Sequence, residues 1–285
     1  MSLSALALLL TAALLHTAWN LLIKRAQEKL VFTWWALLLA TLGFSPFLLQ
    51  VSAFPLAIWP YVLSSALMEV IYFLLLIRAY RFGDFSLVYP IARGAAPALL
   101  ALWAALFLGE RPKLAGILGI ALLVGGLLVV GGTAWWRQRK TSSITSTVLG
   151  LALATACCVS IYSVIDGAAV RQVAPIPYTV LIIGLSSLLL TPLILARYGQ
   201  RVIIRELRTS WWHILLAGAF SLLTYMLVLL AFSFSSVSYS GAIREISVVC
   251  AAIIGWRWLG EGFGRARLLG SLLIFVGIVV IAWAG

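Results

Sequence analysis

Ten runs of roughly twenty apolar residues, joined by short connections, fill this sequence from end to end. They cover approximately 3–23, 31–51, 57–79, 84–108, 114–134, 146–169, 176–196, 212–234, 237–259 and 268–284. A helix needs about 20 residues, at ~1.5 Å rise each, to cross a hydrocarbon core about 30 Å thick. Hydrocarbon offers no partner to a backbone N–H or C=O, so runs of this length are helical. The sequence predicts an all-α membrane protein with ten transmembrane helices. Only 10% of its 285 residues are charged and 64% are hydrophobic, against about 25% charged in soluble domains. The longest breaks, 135–145 and 197–211, leave no room for a soluble domain.

The charges sit in the connections. One set holds Lys24, Arg25, Lys29, Arg78, Arg81, Arg137, Arg139, Lys140, Arg197, Arg201, Arg205, Arg208, Arg257, Arg265 and Arg267; the other holds Arg111, Lys113 and Arg171. Fifteen against three sets orientation by the positive-inside rule. The chain is expected in the cytoplasmic (inner) membrane, multi-pass, with both termini on the non-cytoplasmic side and 135–145 as a cytoplasmic connecting loop. The net charge of +12 is thus topology, and no nucleic-acid partner is expected. The first run has no basic segment before it and ends in Lys24-Arg25, which reads as a retained span. Trp34-Trp35, Trp59, Trp135-Trp136 and Trp211-Trp212 mark headgroup depth.

The chain also repeats. Shifted by 151 residues, Arg93 falls on Arg244, Leu108-Gly109-Glu110 on Leu259-Gly260-Glu261, Gly119 on Gly270 and Gly126 on Gly277. The expected repeats are 1–134 and 146–285. Five helices per repeat is an odd number, so the second half is inverted relative to the first. Inverted halves are the architecture of alternating-access carriers, with a site near the midplane.

Three motifs carry a resemblance. His16-Thr17-Ala18-Trp19-Asn20 precedes a basic pair; Gly83-Asp84-Phe85-Ser86-Leu87-Val88-Tyr89-Pro90 leads to Arg93-Gly94-Ala95-Ala96-Pro97; and Gly109-Glu110-Arg111 closes the fourth run. Together these resemble the EamA branch of the drug/metabolite transporter superfamily over essentially the whole chain. The resemblance implies ten helices with 5+5 inverted pseudosymmetry and a central cavity lined by helices one, three, four, six, eight and nine. It implies carriage of amino acids, metabolites, drugs or nucleotide sugars. The second half departs from the pattern, lacking the Gly-Asp and both prolines of the fourth run.

Ionisable residues inside a span cost several kcal/mol and face a cavity or a partner. Here they are His16, Glu69, Arg93, Asp166, Arg244 and Glu245. With Trp19, Asn20, Tyr72, Tyr89, Tyr162, Tyr225 and Tyr239 they form the expected substrate-binding set. Arg93 and Arg244 occupy matching repeat positions, expected on opposite sides of the midplane, and suit an anion or carboxylate clamp. Pro90 and Pro97 flank Arg93 on one helical face and are expected to act as a hinge. Glu245 follows Arg244 directly; neighbours on a helix point about 100° apart, so Glu245 is expected to reach another helix instead. Glu69, Asp166 and Glu245 are candidates for proton coupling, with a fixed ion pair to Arg93 or Arg244 as the competing role. Glu110 and Glu261 read as loop or cap residues. Gly125-Gly126, Gly131-Gly132 and Gly277 read as close-packing positions, with a homodimer contact as one use.

An enzyme is not expected. There are two histidines, His16 and His213, no His-Glu-x-x-His pair and no phosphate-cradling loop after a strand. Cys157, Cys158 and Cys250 lie in apolar runs without metal-ligand spacing, so neither metal nor cofactor is expected. The expected function is a secondary transporter that moves a small polar or amphoteric solute, such as an amino acid or related organic acid, with export as one direction. A proton-coupled exporter of cationic compounds is the alternative, and a channel or scramblase the lesser one.

Overall fold

The computed structural model describes residues 2–82, 88, 92–93, 95–139, 146–250 and 265–284, giving backbone only for 130–131, 133–139, 146 and 265–267. Its helices are α1 (Leu3–Arg25), α2 (Lys29–Phe44), α3 (Trp59–Phe82), α4 (Ala96–Phe107), α5 (Leu114–Arg139), α6 (Ser146–Ala169), α7 (Pro175–Arg197), α8 (Gln200–Phe234), α9 (Val237–Ile243) and α10 (Arg265–Ala284). Two short 3-10 turns, Ser45–Gln50 and Leu56–Ile58, connect α2 to α3. No strand occurs among the described residues. Six segments among them are long and apolar enough to cross a membrane: Leu3–Arg25, Lys29–Gln50, Leu56–Phe82, Thr147–Ala169, Pro175–Arg197 and Gln200–Phe234. Shorter apolar helices run over Ala96–Phe107, Leu114–Val129 and Leu268–Ala284.

α8 corrects the expected loop at 197–211. Helix starts at Gln200 and runs 35 residues without a break. No Gly or Pro falls between Gln200 and Ala217, and Arg, Glu and Leu there are good helix formers. At ~1.5 Å per residue α8 is about 50 Å long, well beyond the ~30 Å core. Its first three turns, with Arg201, Arg205 and Arg208, therefore project past the hydrocarbon.

Glycines set how α5 and α10 meet. A Cβ on Gly126 would lie 2.5 Å from the carbonyl oxygen of Gly270, and one on Gly119 would lie 2.9 Å from that of Gly277. Only a missing side chain lets two backbones approach so closely. The two helices run antiparallel, with the earlier glycine of each against the later glycine of the other. These glycines thus pack within the chain, whereas Gly125 and Gly132 meet nothing within 4 Å.

Both buried arginines sit where a helix is interrupted. Arg93 is helical, a bend follows at Ala95, and α4 begins at Ala96. Pro97 falls in the first turn of α4, where its missing N–H removes no helical bond. On the other side α9 ends at Ile243, Arg244 and Glu245 form a turn, and helix resumes at 246–250. Tyr89 and Pro90 lie outside the described residues, as do Asp84 and Glu261.

Candidate functional site

Three helices and two helix breaks bring most of the ionisable set together. His16 and Trp19 of α1, Glu69 and Tyr72 of α3, Tyr162 of α6, and Arg93 and Arg244 all border one cavity. α8 adds Ser221, Thr224 and Tyr225, and α7 adds Ile183. α7 was not among the expected lining helices; it joins because it packs along α3 and carries Ser186 to Glu69.

The cationic wall is a triad. Arg93 Nε donates to Glu245 Oε2 at 2.8 Å, and Arg244 Nε lies 3.9 Å from Glu245 Oε1. All three side chains are buried. The two arginines thus converge on one carboxylate. Glu245 reaches a residue of another helical segment, Arg93, as expected, while the turn at 244–245 also lets the neighbouring Arg244 approach it. Arg244 Nε makes no hydrogen bond among the described residues.

Glu69 borders the same cavity, and Asp166 is bonded to the cavity-lining Tyr225. Glu69 accepts a hydrogen bond from Ser186 Oγ at 2.9 Å. Asp166 accepts one from Tyr178 Oη at 2.8 Å and a short one from Tyr225 Oη. An edge-to-face ladder, Tyr72–Tyr162–Tyr225, also borders the cavity, with ring centroids 6.0 Å apart at each step. Trp19 meets His16 edge-on at 5.1 Å, and its Nε1 has no hydrogen-bond partner among the described residues. Asn20 Nδ2 donates to the His16 carbonyl at 2.8 Å and lies 3.2 Å from His16 Nδ1, so it orients His16 from below the cavity wall.

Tyr239 does not join this group. Its hydroxyl accepts a hydrogen bond from the Lys113 N–H at 3.0 Å, and its ring fills the space left by Gly116. Ser186 and Tyr178 were missed from sequence. A serine in an apolar helix reads as a small packing residue, and a tyrosine at a span end reads as a headgroup anchor.

Size decides what this conformation can hold. The cavity is about 40 Å³, far below the ~300 Å³ of small ligand pockets. The walls must separate before a solute fits between them. A larger space of about 560 Å³, bounded by residues such as Trp103, Phe107, Ile161 and Ile165, lies on the opposite face of α6. Among the described residues Tyr61 is the one ionisable side chain bordering it, and the others are apolar. Among the described residues no group of His, Cys, Asp and Glu could hold a metal ion.

The sequence matches the EamA-like transporter family twice, over residues 3–132 and 146–283. A pseudopaline exporter, CntI, of Pseudomonas aeruginosa (strain UCBPP-PA14) is 27% identical over 193 residues, which is 66% of this chain. The match spans 62% of that curated relative's own length. A solved crystal structure, 16% identical, superposes with a TM-score of 0.77 over 98% of this chain and 97% of that one; it shows the fold alone. The chain belongs to the EamA-like transporter family and is a multi-pass membrane protein.

Proposed function

We propose that this family member is an alternating-access carrier for a small amphoteric solute, such as an amino acid or related organic acid, and that it works as an exporter. It has ten spans in two inverted five-helix halves, and the solute binds between them at the central cavity. The glycine register of α5 and α10 and the matching helix breaks at Arg93 and Arg244 support inverted halves. The exporter relative supports the direction.

One observation carries the substrate class: two arginines, Arg93 and Arg244, border the same cavity as the Glu69 carboxylate and the Tyr72, Tyr162 and Tyr225 side chains. A carboxylate or phosphonate on the solute would meet Arg244, whose Nε lacks a hydrogen bond among the described residues, and compete with Glu245. An ammonium group would meet Glu69, with the Tyr72 and Tyr162 faces beside it. Coupling to a proton would use Glu69 or Asp166. Glu245 is the weaker candidate, because it is already engaged by Arg93 and Arg244.

The test is thermal unfolding of the purified protein against amino acids, organic phosphates, phosphonates and quaternary amines. A ligand at about 100 times its Kd stabilises the folded state by ~2.7 kcal/mol. A carboxylate- or phosphonate-bearing compound is expected to raise the midpoint, and Arg244→Gln to abolish that rise. If only quaternary amines raise it, and Arg244→Gln leaves the rise intact, the anion clamp is wrong and Glu69 with Asp166 forms a cation site.

A further inference from the structure

Glu110 ends the first half's fourth span, outside the central cavity, yet few carboxylates in the chain are so heavily engaged. Gly109 takes the left-handed backbone conformation (φ 65°), open to glycine without strain. That turn folds the chain back so that the Glu110 N–H bonds the Ala104 carbonyl at 3.2 Å. The Glu110 side chain then points across to the start of α9 in the second half. Its Oε1 accepts from the Val237 N–H at 2.7 Å. Its Oε2 accepts from the Ser238 N–H at 3.1 Å, Ser238 Oγ at 2.7 Å and Ser236 Oγ at 2.8 Å. Arg171, in the connection between α6 and α7, adds an ion pair at 3.1 Å. Beside this cluster, the Lys113 N–H donates to Tyr239 Oη, and a side chain on Gly116 would collide with that tyrosine.

The two corners joined here both lead into the cavity. Glu110 follows α4, whose span carries Arg93. Ser236–Ser238 joins α8, which bears Ser221, Thr224 and Tyr225, to α9, which ends at Arg244. Tyr225 lies ten residues before Ser235, about 15 Å along the helix at 1.5 Å per residue. Tying these corners holds cavity-lining helices of both halves together at the face that carries Arg111, Lys113 and Arg171. We infer that Glu110 is the latch closing this face of the carrier, and that transport requires the Glu110 bonds to Ser236, Val237 and Ser238 to break. This rests on the carrier reading above.

The ion pair is the minor part of the latch. Arg171 is 41% exposed, and exposed pairs contribute little. The hydroxyl and N–H bonds to a charged acceptor are stronger and sheltered. Variants are therefore expected to rank Glu110→Ala strongest, Glu110→Gln intermediate, and Glu110→Asp and Arg171→Gln weakest.

The test uses a background of Cys157→Ala, Cys158→Ala and Cys250→Ala with Ser221→Cys as a reporter in the cavity. A membrane-impermeant methanethiosulfonate reagent is applied from the Arg171 face in proteoliposomes of fixed orientation, then from the opposite face. Each variant's folded fraction is read by gel filtration. Labelling from the Arg171 face is expected to rise about tenfold in Glu110→Ala, the factor implied by one lost charge-assisted bond, and to return towards the parent level in Glu110→Asp. Unchanged labelling in a well-folded Glu110→Ala, with Ser221→Cys reachable from the opposite face, overturns the latch and leaves the carrier reading standing. A reporter that no variant exposes to either face overturns the carrier reading and the latch with it.

Discussion

Removing the Glu245 carboxylate would take from the buried Arg93 and Arg244 guanidiniums the carboxylate on which both converge. Breaking a buried pair in this way costs about 3–5 kcal/mol, more than the pair itself contributes. A thermal double-mutant cycle with Arg93→Gln, Glu245→Gln and both together is expected to return a coupling of about 1–3 kcal/mol. Coupling near zero would mean that the triad does not exist in the membrane. Glu110 supplies a pH prediction outside the spans. Burial pushes its carboxyl up, but the hydrogen bonds from Ser238, Ser236 and the Val237 and Ser238 N–H groups outweigh burial and hold it below the usual carboxylate range. A folded-state value lower than the unfolded one gives stability that is present above the unfolded value, ~4.3, and lost as pH falls through the folded value. The parent protein is therefore expected to melt above Glu110→Gln at pH 7, with the gap closing below about pH 4. A gap independent of pH would remove the charge from the latch. The ionisable site residues were legible because each, with Arg244 and Glu245 as an adjacent pair, stands out in an apolar run. Ser186 and Tyr178 were not: a helical serine can satisfy its hydroxyl on its own backbone, and nothing in the sequence marks the one that instead reaches Glu69.

Helix ends and helix contacts follow rules that sequence exposes unevenly. The apolar runs placed α1, α3, α6 and α7 to within a few residues, because hydrocarbon thickness fixes their length. Periodicity could not reveal the interruptions at Ala95 and Arg244–Glu245, because they fall inside continuous apolar runs. The break at 244–245 is also why Tyr239 was misplaced: it belongs to α9's own short segment, facing Gly116, not to the turn that holds Arg244. Adjacent glycines in α5 give a matched test of the packing. Alanine exceeds glycine in helix propensity by about 1 kcal/mol, and Gly125 meets nothing within 4 Å. Gly125→Ala is expected to keep or raise the thermal midpoint. Gly126→Ala would press a methyl against the Gly270 carbonyl at 2.5 Å, and the forced separation of α5 and α10 is expected to lower the midpoint by several degrees. Equal midpoints for the two variants would show that these helices do not meet through Gly126 and Gly270.

Orientation is a property of the whole chain, and here charge and contact bear on it separately. Glu110 reaches both Arg171 and Ser236, so the connections after α4, α6 and α8 share one face. That face carries Arg111, Lys113 and Arg171, while fifteen other lysines and arginines fall in the remaining connections. Each cation near an anionic cytoplasmic leaflet contributes ~1 kcal/mol, so fifteen against three outweighs any single unusual loop. On the proposed ten crossings, an even number, both termini would lie on the same side as Glu110, away from the cytoplasm. A C-terminal alkaline phosphatase fusion, active only outside the cytoplasm, is expected to be active, and a C-terminal fluorescent protein dark. A phosphatase inserted within 135–145 is expected to be inactive, because five crossings separate it from each terminus. If the C-terminal and the 135–145 fusions both report the cytoplasm, the second half crosses an even number of times and the five-plus-five count fails. If the C-terminal fusion reports the cytoplasm while the 135–145 fusion reports the outside, the count stands but the chain is inverted, and the Glu110 latch closes the cytoplasmic mouth instead.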